Sequence, residues 1–461
     1  MAKNATRDMT VGSPMKLILG FSVPLLMGFL FQQFYSLVDT VIVGKILGVD
    51  ALAAVGSTGS VNFMVIGFCM GVCSGFSIPI AHMFGAKDYV GMRKYVANSV
   101  WLSGVFAVVM TIAVCVLCRS ILVWMKTPSD IIEQAYEYIF IIFLGIPVTY
   151  LYNMLSGIIR SLGDAKTPVM FLVMSAVLNI FLDLFLILVI PMGVAGAAWA
   201  TVISQGVSGV CCLFYMRKKF EILHIRKEEW KTELQLMKNL CNMGIPMGLQ
   251  YSVTAIGSII LQTAVNTLGS LAVASITASN KIGMFFCCPY DAMGSTMATY
   301  GGQNVGAKRL DRVHQGMKAC VLLGAVYSVF AFGVLSLFGK DLAHLFVDSA
   351  DPKLSEQVGQ FLFISSMFYF PLALVNIVRF MIQGLGFSKF AILAGVCEMV
   401  ARALAGFLLV PRFGFIAACY ASPLAWILAD LFLIPAYFHV MKRLSRMFGL
   451  EEGTRQYCKS V

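Results

Sequence analysis

Charge is what this chain has least of. Only 12% of its 461 residues are Asp, Glu, Lys or Arg, while 59% are hydrophobic. Soluble domains carry roughly 25% charged residues. A soluble globular protein of this size is therefore excluded, because too little polar side chain exists to cover it. Histidine is scarce as well. The five present, His82, His224, His314, His344 and His439, stand far apart, and neither DDxxD nor HxxxH occurs. This argues against a membrane-embedded enzyme acting on lipid or isoprenoid, which needs clustered acids, histidines or a nucleophile with its base. The thirteen cysteines form no framework. Cys115 and Cys118 have CxxC spacing, but they sit in an apolar run with no His or second pair nearby, where Cys serves as a small hydrophobe. No cleavable signal is expected: residues 1–16 are polar, and the first apolar run is too long for a signal core.

What the chain does have is long apolar runs. They read at 17–43, 52–80, 95–118, 134–157, 167–190 and 193–216, then at 239–266, 271–300, 317–338, 357–382, 389–410 and 414–441. Crossing a bilayer takes about 20 apolar residues per helix, so the expectation is an all-α membrane protein of twelve transmembrane helices. The net charge of +11 does not point to nucleic acid, because of where it lies. One alternating set of loops and termini holds 25 Lys and Arg, seven of them between Arg217 and Lys238. The other set holds six: Lys45, Arg119, Lys126, Lys340, Lys353 and Arg412. By the positive-inside rule both termini are cytoplasmic, and the expected location is the plasma membrane.

The second half repeats the first. Gly85-Ala86-Lys87 returns as Gly306-Ala307-Lys308, Gly48 as Gly269 and Gly193 as Gly414, each 221 residues later; Pro24 matches Pro246 and Gly163 matches Gly386 at nearly that spacing. Duplicated helix bundles are a mark of secondary transporters, which bind substrate between repeats. Six helices per repeat makes the repeats parallel. The expected organisation is an N-lobe over 1–216, a cytoplasmic linker over 217–238, a C-lobe over 239–441 and a cytoplasmic tail over 442–461. The linker reads as a short surface helix or a solvated tether. The Gly-Ala-Lys triplets read as turn devices, with Gly free to adopt a left-handed helix end and Lys at the negative end of the helix dipole.

Charges inside a bilayer are costly and mark function by default. The carboxylates are Asp39, Asp183, Asp291, Glu398 and Asp430, and the cations Lys281, Arg379 and Arg402. Glu398 and Arg402 are four apart on one helix and can neutralise each other. Asp39 has no such partner. Tyr35 and Gln32 precede it by four and seven, so amide, phenol and carboxylate share one helix face. Asp183 likewise has only Asn179 one turn back, with Thr201 on the next helix. Asp39, Asn179, Asp183 and Thr201 form an oxygen set suited to a hard cation such as Na+. They suit a proton equally, since burial and a neighbouring carboxylate favour the neutral acid. Tyr35, Gln32, Asn153 and Asp291 are the candidates for substrate contact.

The runs QQFYSLVDTVIVGKILG, IIRSLGDAKTP, NIFLD, GVAGAAWATVIS and GQNVGAKR occur in an order that resembles the multidrug and toxic compound extrusion (MATE) family over about residues 14–445. The resemblance implies two six-helix lobes in a V shape and export of cationic or amphipathic organic compounds coupled to H+ or Na+ entry. It implies a cation site on Asp39, Asn179, Asp183 and Thr201, with Tyr35 nearby. In another branch acidic C-lobe residues serve, and here Asp291 and Glu398 are the counterparts. A lipid-linked sugar flippase of the same superfamily is the nearest alternative, although basic residues within the membrane runs are few. No cofactor and no nucleic-acid partner are expected; membrane lipids surround the chain, and a monomer is taken as the working state.

Overall fold

The computed structural model describes residues 6–125, 127–343 and 352–449. The Lys126 loop position and the tail beyond Gly449 lie outside them. Among the described residues no strand occurs. The first repeat runs α1 (Pro14–Ile42), α2 (Val49–Gly85), α3 (Tyr89–Trp124), α4 (Ile132–Leu144), α5 (Ile146–Ser161), α6 (Lys166–Leu184) and α7 (Val194–Lys219). The second runs α8 (Leu234–Asn266), α9 (Ser270–Gly306), α10 (Leu310–Ala343), α11 (Pro352–Met367), α12 (Tyr369–Gly384), α13 (Ser388–Leu404), the short α14 (Val410–Phe413) and α15 (Phe415–Met447). Among the described residues ten spans are long and apolar enough to cross a membrane. Two bent pairs, α4 with α5 at 46° and α11 with α12 at 51°, complete twelve when each pair is one span. The bends fall at Gly145-Ile146-Pro147 and at Phe368-Tyr369-Phe370-Pro371. A proline at the start of a helix is accepted there and cannot continue the helix before it.

The repeat is written into the backbone. Gly48 and Gly269 have φ of 93° and 95°, Gly163 and Gly386 of 84° and 94°, Gly193 and Gly414 of 60° and 62°. These are left-handed conformations that a Cβ disfavours. The Gly-Ala-Lys triplets depart from expectation: Lys87 and Lys308, at 58° and 57°, take the left-handed conformation, and the glycine does not. Gly85 closes α2 for another reason. A Cβ there would overlap the backbone carbonyl of Gln303.

Two compact units divide the chain. Unit 1 takes the chain up to Asp8, Val23–Phe84 and Asp88–Ser252; unit 2 takes Met9–Ser22, Gly85–Lys87 and the chain from Val253 on. The division thus falls inside α1 and inside α8. Within unit 1, α2 and the first half of α8 touch backbone to backbone through small-xxx-small pairs, Gly71/Gly75 and Gly244/Gly248. A Cβ on Gly75 would lie 2.5 Å from the Gly244 Cα.

Segment 217–238 belongs to unit 1 and is neither a single helix nor a loose tether. It forms two 3-10 turns, Glu221–Leu223 and Lys227–Trp230, with Phe220 and Leu223 buried. Glu229 accepts from Arg93 Nε at 2.8 Å and from Arg93 Nη2 at 2.8 Å, and from its own turn's Arg226 N–H at 2.8 Å. The Arg93 guanidinium beside it holds the Glu229 carboxyl below its ordinary range. Asn98 Oδ1 accepts from the Glu233 N–H at 2.9 Å, which fixes the far end of the strap on α3. In unit 2 GQNVGAKR and the Arg312 beyond it hold the chain near its start: the Met9 N–H donates to Gln303 Oε1 at 2.8 Å, and Asn304 Nδ2 and Arg312 Nη2 each donate to the Met9 carbonyl at 3.3 Å.

Candidate functional site

Six helices of unit 1 (α1, α2, α4, α5, α6 and α7) enclose a cavity of about 330 Å³. Helical period decides which residues reach it. On α1 the lining positions are Leu25, Gly28, Phe29, Gln32, Tyr35, Ser36 and Asp39, one continuous stripe. On α6 the stripe ends at Asn179, and Asp183 follows one turn on, fully buried behind the lining. Thr201 faces in from α7 and Asn153 from α5, where the Asn153 amide also donates to the Thr149 carbonyl at 2.9 Å. Asp39, Asn179, Thr201, Gln32, Tyr35 and Asn153 therefore share one cavity, with Asp183 against it. Asp291 is not brought there; it belongs to unit 2 and is exposed.

The Asp39 and Asp183 carboxyls lie within hydrogen-bonding reach of each other. Among the described residues, no ion pair involves either. With the Asn179 amide turned so that both its ends are satisfied, its nitrogen donates to Asp183 Oδ2 at 3.0 Å and its oxygen accepts from the Thr201 N–H at 3.2 Å. Tyr35 reaches the Thr201 side chain, and the Thr201 hydroxyl donates to the Ala197 carbonyl at 3.1 Å. Three oxygens here are buried without a hydrogen bond: Asp39 Oδ1, Asp183 Oδ1 and Asn62 Oδ1. All three are acceptors, so the site is short of positive charge or of a proton. No group of three or more His, Cys, Asp or Glu suited to a metal occurs among the described residues. An ion here would have only two carboxylates, supplemented by neutral oxygens.

Both carboxylates lie close before a π-helical turn. Asp39 precedes Val43–Leu47 and Asp183 precedes Phe185–Val189. Such turns cluster at functional sites, because the widened ladder re-aims the side chains beside it. Three lining residues carry chemistry that the sequence reading did not single out: Asn62 on α2, Tyr138 on α4 and Gln205 on α7. Gln205 follows Thr201 by four, and the same spacing rule that joined Tyr35 to Asp39 was available to find it. Asn62 and Tyr138 carried no such signal. Arg160, in the last turn of α5, is the one cation in the lining.

Unit 2 answers with a different charge pattern. Glu398 on α13 is held by Arg402 Nη2 at 3.2 Å and by Arg379 of α12. The expected i,i+4 pair is thus a buried triad of two guanidiniums on one carboxylate. Asp291 and Asp430 both lie in the electrostatic range of Arg379.

The MatE family profile matches the chain twice, over residues 24–185 and 246–408, one match in each repeat. The chain belongs to the MatE family. It is 30% identical to the probable multidrug resistance protein YpnP of Bacillus subtilis over 374 residues, 80% of this chain and 82% of that relative. It is also 30% identical to the probable multidrug resistance protein YoeA of the same organism, over 71% of this chain and 74% of the relative. A crystal structure of MATE in complex with MaL6 superposes with a TM-score of 0.90 at 23% identity, covering 97% of this chain and 100% of that one. The MatE fold of twelve helical spans in two repeats thus accounts for nearly the whole chain, and the family is one of transporters.

Proposed function

We propose that this MatE protein exports cationic or amphipathic organic compounds in exchange for an entering ion, and that Asp39 with Asp183 is the exchange site. The observation that carries this reading is the approach of the half-buried Asp39 carboxyl to the fully buried Asp183 carboxyl, with no Lys or Arg paired to either among the described residues. At an effective dielectric of about 20, two like charges about 4 Å apart repel by about 4 kcal/mol. The pair therefore needs positive charge, which a shared proton, a metal ion or an organic cation can supply. These are mutually exclusive occupants. An ion entering from outside neutralises the carboxyls, the organic cation loses its counter-charge and leaves, and the neutral site returns. The membrane potential contributes about 2.3 kcal/mol per charge per 100 mV.

The direct carboxyl–carboxyl contact favours a proton, which two oxygens share without moving apart. A second reading, sodium, is supported by the Asn179 and Thr201 oxygens beside the pair. Adding tetraphenylphosphonium to energised inverted vesicles separates the two. Dissipation of a pH gradient at constant sodium is the expected result. Collapse of a sodium gradient with the pH gradient intact would replace the proton by sodium.

We also propose that both termini and the 217–238 strap face the cytoplasm of the plasma membrane, from the 25-to-6 asymmetry of loop cations. A cysteine-reactive tag at Lys219 should react only in inverted vesicles, and one at Lys340 only in intact cells. Labelling of Lys219 from outside intact cells would overturn the topology.

A further inference from the structure

We propose that unit 2 contains a separate binding site for the oxyanion of a flat apolar solute, with Arg402 and Ser365 as its donors. The site is a cavity of about 320 Å³ enclosed by α8, α9, α11, α12, α13 and α15. Among the described residues Arg402 is the one charged residue in its lining, which includes no carboxylate. Nine-tenths of the Arg402 side chain is buried. Its Nη2 is spent on Glu398, while its Nη1 makes no hydrogen bond. Ser365 Oγ, in the same lining, is also buried without a hydrogen bond. A buried guanidinium N–H left unsatisfied is costly, and native structures keep one only for a reason. Glu398 does not reach this N–H: its oxygens are bonded to Arg379 Nη2 and Arg402 Nη2.

The two cavities are repeat-related and opposite in demand. Arg402 follows Asn179 by 223 residues, the spacing that also separates Gly163 from Gly386 in the loops before the same two helices. Each stands close before a π-helical turn, Phe185–Val189 in one repeat and Ala405–Leu409 in the other. At the unit 1 cavity the unsatisfied atoms are the oxygens of Asp39, Asn62 and Asp183, which accept; in the lining of the unit 2 cavity they are an Arg402 N–H that donates and the Ser365 hydroxyl. A ligand for the second cavity must therefore bring acceptors and negative charge. A carboxylate or phosphate oxygen pair suits the planar guanidinium edge and the Ser365 hydroxyl together. The rest of the ligand meets Tyr369 and Trp426, whose rings lie 6.3 Å apart at 58° on the cavity wall. Such a wall takes a flat apolar body.

The test is calorimetric binding of 2-naphthoate to the purified full chain in phosphatidylcholine nanodiscs, with 2-naphthylmethylammonium as the probe of opposite charge. Wild type should bind 2-naphthoate. Arg402→Gln should weaken it by about tenfold or more, the loss expected for one charge-assisted hydrogen bond. Because Arg402→Gln also disturbs the Glu398 triad, Ser422→Asp serves as the second variant: it leaves the triad intact, sets a negative charge in the lining, and should weaken 2-naphthoate as strongly. Neither variant should weaken 2-naphthylmethylammonium, since removing a cation or adding a carboxylate works against anions alone. Phosphatidylglycerol that competes with 2-naphthoate would identify the natural occupant as a lipid phosphate, and absence of competition a free organic anion; both place an anion at Arg402. No 2-naphthoate binding by wild type, or unchanged binding in folded Arg402→Gln and Ser422→Asp, would overturn the proposal. The 2-naphthoate readout does not involve the exchange site of unit 1, so failure of that reading would leave this result standing.

Discussion

Asp39→Asn should insert and fold like wild type yet lose ion-driven export. The substitution keeps the shape of the side chain and removes its charge, so Asp183 stands alone and the carboxyl pair that shares the ion no longer exists. Two consequences separate this from general damage. Tetraphenylphosphonium affinity should fall by about tenfold or more, the size of one lost charge–charge contact in a partly buried site. The remaining affinity should also become independent of the coupling ion, because the competitor has lost its binding group. Transport in proteoliposomes and equilibrium binding at two ion concentrations check both. Export at wild-type rate driven by an ion gradient would sink the exchange mechanism, whatever happened to the affinity.

Glu398→Gln is expected to act in the opposite way, on stability before transport. Glu398 is bonded to both Arg379 and Arg402, and all three side chains are buried. Removing its charge leaves two guanidiniums facing each other. Breaking a buried ion pair from one side costs about 3–5 kcal/mol. A lower melting temperature in detergent is therefore expected, together with partial rescue by Arg402→Met, which removes one of the stranded cations. Protein that does fold should keep more ion-coupled export than Asp183→Asn. A Glu398→Gln protein as stable as wild type but unable to couple would move the exchange site to unit 2.

Much of this was readable from residue order. The stripe from Gln32 to Asp39 and the Asn179–Asp183 turn were visible because helical period converts spacing into a shared face. That both stripes meet Thr201 in one cavity depends on how α1, α6 and α7 pack, which spacing on a single helix does not encode. For the same reason Glu398 was legible with Arg402, four residues away, but not with Arg379 on α12. The repeat glycines were legible as glycines, and their left-handed conformations followed. Lys87 and Lys308 were misread because glycine is the usual occupant of that conformation; here Gly85 is required instead by the backbone of Gln303 pressed against it. The strap at 217–238 was opaque, since its order comes from Arg93 and Asn98 on a distant helix.

The π-helical turns carry a consequence for helix phase. A π turn holds one residue more than the α turn it replaces. Among the described residues three spans contain one: it closes two of them, at Val43–Leu47 and Phe185–Val189, and in the third, at Ala405–Leu409, the short α14 follows it, offset by about 100°, the rotation of a single residue. The side chains before the turn and those after it answer to different origins. Losing one residue anywhere in Val43–Leu47 would close the ladder into ordinary α-helix and rotate Asp39 with its whole stripe relative to everything beyond Gly48. No cavity residue need change for the carboxylate to point elsewhere. In these spans chain length, as much as side-chain identity, specifies where the charge is aimed.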